Sequence, residues 1–311
     1  MQKVYSTPLF GAPALPALTL VQERLRCLLF NSGSRYLGDE SSLVRPPPPA
    51  AATPTLQPSG GSGPRLPGTW GLSEARSFPW IELAVMGRSN AGKSTLLNTL
   101  LHSKSSQQQQ QQQQRHGLGS FVPVSKTPGT TVRLDFYGVG QAESPLLVLV
   151  DTPGYGYSAK GKDRHGVWME RMAEYLRTRR TMSSGPSESP LLARVMLLAD
   201  ARVGLTELDH TVLQALDESR LPTHVVLTKA DLVGPARLAT AAQAVARALR
   251  AYKMPFPHLN LISAHTGEGM LKLQHAIMHT TKLHRLSTPD FEEHRKELAE
   301  REAKVGAAAP A

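Results

Sequence analysis

A stretch of eight residues has the composition and spacing of a phosphate-binding loop. The pattern G-x-x-x-x-G-K-[ST] is matched at every fixed position by Gly87-Arg88-Ser89-Asn90-Ala91-Gly92-Lys93-Ser94, and Thr95 follows it. Glycines let backbone N–H groups curl around phosphate oxygens at the N-terminus of a helix. We expect Lys93 to reach the β- and γ-phosphates and the Ser94 hydroxyl to bind Mg²⁺. The alternative is a glycine-rich turn that binds nothing.

A second motif, Asp151-Thr152-Pro153-Gly154, follows the apolar run Leu146–Val150. An acid at the end of a buried strand is well placed to hold Mg²⁺, directly or through water. The Gly154 N–H can meet a γ-phosphate and so report whether that phosphate is present. By itself the motif is also an ordinary strand-to-turn signal, but its position after the phosphate loop favours a nucleotide site.

A third motif, Thr228-Lys229-Ala230-Asp231, ends another apolar run. Asp231 can accept both hydrogens from the N1–H and N2 amino edge of guanine, which adenine does not offer, and the stem of Lys229 can lie over the base. The pair Ser263-Ala264 closes the run Leu259–Ile262, where the Ala264 N–H can contact guanine O6. These residues favour GTP over ATP, and an ATP-dependent enzyme such as a kinase is the less favoured alternative.

Short apolar runs alternate with helical patterns from Trp80 onward, which predicts crossover units and a mostly parallel sheet covered by helices on both faces. The predicted strands are Ile81–Met86, Leu146–Val150, Leu191–Leu198, Thr223–Leu227 and Leu259–Ile262, with Val132–Tyr137 as an edge strand. The predicted helices are Lys93–Leu101, Val167–Arg180, Glu207–Ser219, Arg237–Tyr252 and Met270–Leu286. The fold class is therefore α/β with six strands.

The chain has 311 residues, a formal net charge of +10 and a pI near 9.9. Its single cysteine, Cys27, excludes a disulfide framework and any multi-cysteine zinc site. No apolar run approaches the roughly 20 residues that span a bilayer, so we expect no membrane span. Most of the basic excess lies in residues 80–284, which hold 23 Lys and Arg against 15 Asp and Glu. A basic surface of this kind is typical of proteins that bind nucleic acid.

The first 38 residues contain scattered arginines, few acids and a possible short amphipathic helix at Val21–Phe30. This composition fits an organelle transit peptide, with an ordinary disordered extension as the alternative. Residues 39–77 are rich in proline and glycine and are predicted to be a linker. Residues 78–286 form the predicted domain, with a glutamine-rich insertion at 105–120 and a Ser/Gly/Pro loop at 181–190. Residues 287–311 are predicted to form a charged helical tail.

Taken together, these motifs resemble the EngB (YihA) family of translation-factor-class GTPases. The resemblance covers Phe78 to Leu286 and depends on G-R-S-N-A-G-K-S, S-K-T-P-G-x-T at Ser125–Thr131, D-x-P-G-Y-G-Y at Asp151–Tyr157 and T-K-A-D. It implies a Ras-like fold, GTP and GDP as ligands, and GTP hydrolysis coupled to assembly of the large ribosomal subunit, with rRNA as a partner. We expect a monomer, and an organellar member that acts in the mitochondrial matrix, with another organelle or the cytoplasm as alternatives.

The resemblance also implies roles for three residues. Thr131 would be the mobile-loop threonine whose hydroxyl binds Mg²⁺ when GTP is present, with Thr130 as a competing choice. Asn90 would hold K⁺ beside the phosphates, or would only make hydrogen bonds within the loop. Tyr155 lies where Ras-type enzymes carry the glutamine that orients the attacking water. We therefore expect slow hydrolysis that needs K⁺, a ribosomal partner or both, or a scaffold with no hydrolysis. The predicted catalytic residues are Lys93, Thr131 and Gly154.

A basic cluster follows the second motif and is composed of Lys160, Lys162, Arg164, Arg171, Arg177, Arg179 and Arg180. Because this segment should move with the γ-phosphate, it could couple the nucleotide state to RNA phosphates. The alternative is a solvated helix C-terminus, where cations are favourable in any case.

Overall fold

The computed structural model describes residues 6–8, 13–31, 34–39, 81–101, 122, 134–140, 145–156, 168–170, 172–177 and 192–285. Its strands are β1 (Ser6–Pro8), β2 (Ser34–Asp39), β3 (Ile81–Gly87), β4 (Asp135–Val139), β5 (Leu147–Asp151), β6 (Leu192–Asp200), β7 (Thr223–Thr228) and β8 (His258–Leu261). Its helices are α1 (Leu20–Asn31), α2 (Lys93–Leu101), α3 (residues 168–170 and 172–177), α4 (Glu207–Glu218), α5 (Pro235–Leu249) and α6 (Met270–Thr280).

These strands form one sheet in the order β1-β8-β7-β6-β3-β5-β4-β2. The strands from β8 to β5 run parallel to their neighbours, whereas β4 pairs antiparallel with β5. The six predicted strands are all present, and the predicted mostly parallel α/β fold is confirmed. None of the helices among the described residues is both long and apolar enough to cross a membrane.

Alternate residues along each central strand face opposite layers of the core. On β3, Ala84 and Met86 face a layer that holds side chains of α3, α4 and α5. Their neighbours Leu83 and Val85 face a second layer with side chains of α1, α2 and α6. Both faces of the sheet are therefore covered by helices, as predicted, and the carboxyl ends of β3, β5, β7 and β8 remain free to carry ligand-binding turns.

The helix bounds follow local chain chemistry. Pro235 occupies the first turn of α5, where its missing N–H costs no hydrogen bond. The predicted helix Met270–Leu286 ends early, at Thr280, because Lys282 adopts a left-handed conformation with φ of 62°. A short 3₁₀ turn, Leu283–Arg285, follows.

The N-terminal segment differs most from the sequence-based expectation. A disordered extension is the wrong description of residues 13–31 and 34–39, because α1 buries Leu25, Leu29 and Phe30 in the core. Strand β2 then pairs antiparallel with β4, so β4 is not the edge strand that Val132–Tyr137 was predicted to be. The glutamine-rich insertion, the 181–190 loop, most of the 39–77 linker and the 287–311 tail lie outside the described residues.

Candidate nucleotide-binding site

The phosphate loop joins the carboxyl end of β3 to the first turn of α2. Gly92 has a φ of +94°, in the region that only glycine adopts without strain. Asn90 has a φ of 64°, a left-handed conformation that asparagine tolerates better than most residues. The order of these residues therefore produces a curled loop at a helix N-terminus, as a phosphate site requires.

Lys93 is buried inside this loop. Its ammonium group donates hydrogen bonds to the carbonyls of Gly87 at 3.1 Å and Arg88 at 3.2 Å. Burial lowers the pKa of Lys93 to about 8, although the nearby charge of Asp151 opposes this shift. Ser94 beside it is half-buried, and Thr95 is exposed in the first turn of α2. A poorly solvated cation at this position favours an anionic ligand.

Asp151 ends β5 directly beside this loop and is almost fully buried. Its Oδ1 atom has no hydrogen-bond partner among the described residues. Burial raises the pKa of Asp151 to about 7, and the charge of Lys93 acts in the opposite direction. An orphaned buried carboxylate oxygen beside the phosphate loop fits Mg²⁺, which prefers oxygen ligands and keeps several waters. Asp151 and Ser94 are thus the described residues that would hold Mg²⁺, which would neutralise phosphate charge when bound.

Gly154 lies in contact with the phosphate loop. A Cβ atom added to Gly154 would lie 2.8 Å from Lys93 Nζ and 2.9 Å from Ser89 Cα, so no larger residue fits without displacing the loop. The Ser89 N–H donates to the Tyr155 carbonyl at 3.0 Å. The second motif and the phosphate loop are therefore joined through their backbones.

The third motif lies at the neighbouring carboxyl ends of β7 and β8. Thr228 donates its hydroxyl to the Ala91 carbonyl at 2.7 Å, which ties β7 to the phosphate loop. Asp231 lies half-buried in a 3₁₀ turn, Ala230–Leu232. The Ala230 N–H donates to the Ile262 carbonyl at 3.0 Å, which holds this turn next to the Ser263-Ala264 pair. The predicted guanine ligands are thus brought to the same edge of the sheet as the predicted phosphate ligands.

Comparison with known proteins agrees with this geometry. Residues 82–229 match the family described as 50S ribosome-binding GTPase. The "Probable GTP-binding protein EngB" of Rhodopseudomonas palustris (strain BisA53) is 38% identical over 212 residues, which cover 67% of this chain and 86% of that protein. The chain belongs to the EngB family.

Two further EngB proteins align over a similar share of the chain. The "Probable GTP-binding protein EngB" of Granulibacter bethesdensis is 36% identical over 210 residues, which cover 68% of this chain and 81% of that protein. The solved crystal structure of a probable GTP-binding protein engB aligns at 18% identity with a TM-score of 0.43, covering 65% of this chain and 98% of that one. The sequence matches to the Rhodopseudomonas and Granulibacter proteins and to the family model confirm the resemblance to EngB stated from the sequence, and with it a GTP-binding domain of the P-loop class.

In this EngB member the side chain of Tyr155 is buried between α3 and α4. Its hydroxyl donates to Asp209 Oδ1 at 2.6 Å, and its ring packs on Trp168 with a centroid separation of 5.1 Å. Burial, and then the charge of Asp209, raise the pKa of Tyr155 well above its ordinary value, so the hydroxyl stays protonated and donates. A side chain held in this way does not orient a water molecule at the phosphate site.

The EngB site also contains two acids that the sequence analysis missed. Asp200 ends β6 and lies 3.0 Å from Lys229 Nζ through its Oδ2 atom. Burial disfavours its charge, but hydrogen bonds from Arg202 and Lys229 outweigh burial and lower the pKa of Asp200 to about 2. The predicted strand Leu191–Leu198 ended two residues too early. An acid directly after that apolar run, as at Asp151, was the available signal.

Asp209 is the second missed acid. It is the third residue of α4, its side chain is fully buried, and its Oδ2 atom accepts the Thr206 N–H at 2.7 Å. The spacing Thr206-x-x-Asp209 is a capping-box signal that sequence alone offers. That signal predicts a helix start, and it contains no hint of the contact with Tyr155.

Several predicted site residues lie outside the described residues. These are the mobile-loop threonines Thr130 and Thr131 and all of the basic cluster except Arg177, whose side chain is exposed. Their roles in Mg²⁺ binding and RNA contact stay predictions.

Proposed function

We propose that this protein is a GTP-driven switch in the assembly of the large ribosomal subunit, and that it hydrolyses GTP slowly on its own. The observation that carries the proposal is the meeting of three motifs at one edge of the sheet. Lys93, Asp151 and Gly154 contact or face the phosphate loop, and Thr228 ties the predicted guanine-binding turn to the same loop. A site of this kind suits GTP better than ATP, because Asp231 can accept hydrogen bonds from the N1–H and N2 amino groups of guanine, which adenine lacks.

The position of Tyr155 supports slow intrinsic hydrolysis. Where Ras-type enzymes orient water with a glutamine, this chain has a tyrosine whose hydroxyl is bonded to Asp209. Catalysis then needs a charge or a water-positioning group from elsewhere. We propose K⁺ held beside Asn90, a ribosomal partner, or both as the source.

Two measurements test the proposal. The first is competition binding of GTP against ATP to the full chain, with Asp231→Asn as the selective variant. That change removes a carboxylate that accepts two hydrogen bonds from guanine. It should lower the affinity for GTP by roughly a hundredfold without raising the affinity for ATP. ATP binding as tight as GTP would contradict guanine recognition.

The second measurement is phosphate release in K⁺ and Na⁺ buffers, with and without large ribosomal subunits. We expect slow release in Na⁺ alone and faster release with K⁺ or subunits. The alternative is a nucleotide-binding scaffold without hydrolysis, which is also compatible with a Tyr155 hydroxyl bonded to Asp209. It would bind GTP and subunits yet release no phosphate under any of these conditions.

We also propose rRNA as the partner and the mitochondrial matrix as the location. The basic excess of residues 80–284 and the family described as 50S ribosome-binding support the first proposal, and the acid-poor first 38 residues support the second. Sedimentation of the protein with large-subunit precursors from fractionated mitochondria would test both. Its recovery only in another compartment, or only free of ribosomal particles, would refute one or the other.

A further inference from the structure

A fully buried carboxylate joins three parts of the site. Asp209 accepts the Tyr155 hydroxyl at 2.6 Å through Oδ1 and the Thr206 hydroxyl at 2.7 Å through Oδ2. The Arg88 side chain of the phosphate loop is ion-paired with the same carboxylate, with Nε 3.3 Å from Oδ2 but not aligned for a hydrogen bond. Asp209 therefore contacts the phosphate loop, the segment after β5 and the start of α4 at once.

The segment after β5 is held against the phosphate loop by further contacts. The Ser89 N–H donates to the Tyr155 carbonyl at 3.0 Å, and the Ser89 hydroxyl lies 3.5 Å from the Gly154 carbonyl. Because Gly154 packs directly against Ser89 and Lys93, little space remains between that glycine and the ammonium group. A γ-phosphate bound between Lys93 and the Gly154 N–H would require this segment to move outward.

Helix α3 is attached to the same segment. The Trp168 indole N–H donates to the Pro153 carbonyl at 2.7 Å, and the Trp168 ring packs on the Tyr155 ring. An outward movement of residues 153–155 would thus change the surroundings of Trp168 while it stretches the bond from Tyr155 to Asp209.

We propose that Asp209 is a positioning residue that, through Tyr155, favours the arrangement of residues 151–156 without a γ-phosphate over the arrangement with one. The inference rests on the proposed GTP-binding function. A ligand shifts such an equilibrium only by its difference in affinity for the two arrangements. The hydrogen bond from Tyr155 to Asp209 stabilises only the arrangement without a γ-phosphate, so it lowers the affinity for GTP relative to GDP. Loss of this hydrogen bond therefore raises the affinity for GTP relative to GDP.

The variant Tyr155→Phe tests this directly, because it removes the hydroxyl and keeps the ring on Trp168. We expect the ratio of affinities for a non-hydrolysable GTP analogue and for GDP to rise about tenfold, the size typical of one hydrogen bond to a charged acceptor. Asp209→Asn should shift the ratio in the same direction by less, since the amide oxygen can still accept from Tyr155.

Two control variants separate this effect from a loss of stability. Tyr252→Phe removes a hydroxyl that bonds His210 Nδ1 at 2.8 Å on the same helix α4, far along the chain from the phosphate loop. Thr206→Ala weakens the start of α4 but leaves the contact between Tyr155 and Asp209 in place. Both controls should lower the unfolding midpoint without changing the affinity ratio.

Tryptophan fluorescence adds a readout that a purely structural role would not move. Trp168 is the one tryptophan among the described residues, so Trp70→Phe and Trp80→Phe in the full chain leave it as the reporter. The GTP analogue should change its emission and GDP should not. In Tyr155→Phe, the nucleotide-free emission should already lie closer to that of the GTP-bound protein.

The outcomes are distinct. The inference is overturned if Tyr155→Phe has the wild-type ratio of affinities for the GTP analogue and GDP. It is also overturned if that ratio rises equally in Tyr252→Phe. Either result leaves the proposed function standing. A wild-type chain that binds no guanine nucleotide overturns the proposed function, and the inference falls with it. A rise confined to Tyr155→Phe and Asp209→Asn supports the inference.

Discussion

The ammonium group of Lys229 lies 3.0 Å from Asp200 Oδ2 and donates a hydrogen bond of 2.5 Å to the Asn90 carbonyl. Lys229 itself has a left-handed backbone with φ of 57°. The lysine thus bridges the carboxyl end of β6 and the phosphate loop. This arrangement fixes the stem of Lys229 on the side of the site where the guanine base is expected to lie.

Replacement of Asp200 should lower the affinities for GTP and GDP by the same factor. Asp200→Asn keeps the shape of the side chain but removes the charge that holds Lys229 and Arg202. The base contact is the same for GTP and GDP, so we expect both affinities to fall by about tenfold, the effect of losing one partly buried charge-assisted contact. Equilibrium binding of the two nucleotides measures this. A change in the ratio of their affinities would contradict a role confined to the base.

The side chain of Asn90 should carry the K⁺ response of phosphate release. Asn90 has a positive φ of 64°. Alanine at this position would strain the loop, so Asn90→Gly is the change that removes the amide without strain. We expect Asn90→Gly to bind GTP with nearly wild-type affinity and to lose the stimulation by K⁺ over Na⁺. Equal stimulation in the variant would refute the cation role. Wild-type turnover on the order of ten per second in Na⁺ alone would refute the need for any added charge.

The sequence predicted the sheet and the main site motifs because both have local causes. Buried parallel strands are continuous apolar runs, and the glycines and acids that bind nucleotides stand at their carboxyl ends. The predicted helix Lys93–Leu101 has the same bounds in the structure. The family resemblance added Tyr155, whose importance no local pattern reveals.

What the sequence did not predict depends on contacts distant along the chain. Strand β2 pairs with β4 about 100 residues away, and its sequence, Ser-Arg-Tyr-Leu-Gly-Asp, is neither a continuous apolar run nor an alternation of apolar and polar residues. The contact from Tyr155 to Asp209 spans 54 positions and crosses from one strand end to a neighbouring helix. Asp209 satisfies a local rule for helix starts, and that rule contains no information on its contact with Tyr155 in the segment after β5.

Acid should destabilise the fold through His224. Burial, and then the charge of Arg194, lower the pKa of His224 from 6.5 to about 3, while its bond to Asn260 only partly opposes this. Above pH 6.5 the imidazole of His224 is neutral in both the folded and the unfolded chain. As the pH falls below 6.5 the unfolded chain binds a proton that the folded chain excludes, so stability is lost.

We expect His224 to cost about 2 kcal/mol of unfolding free energy between pH 7.5 and pH 5. Urea titrations at the two pH values measure the loss, and His224→Gln provides the comparison. Burial also lowers the pKa values of His258 and His279, whereas it raises the pKa of Asp151 to about 7, which acts in the opposite direction as the pH falls. The difference between the losses of the two proteins, rather than either loss alone, therefore measures the contribution of His224. Identical losses in the two proteins would mean that His224 is not buried as a neutral imidazole.

The N-terminal helix should contribute to stability as part of the domain. Leu29 is buried against the core, whereas Leu20 on the same helix α1 is 86% exposed, so the two provide a matched pair of substitutions. Leu29→Ala leaves a cavity and should cost about 3 kcal/mol of unfolding free energy, while Leu20→Ala should stay within about 0.5 kcal/mol. Chemical denaturation of both variants measures the difference, and equal small effects would show that α1 does not pack on the domain.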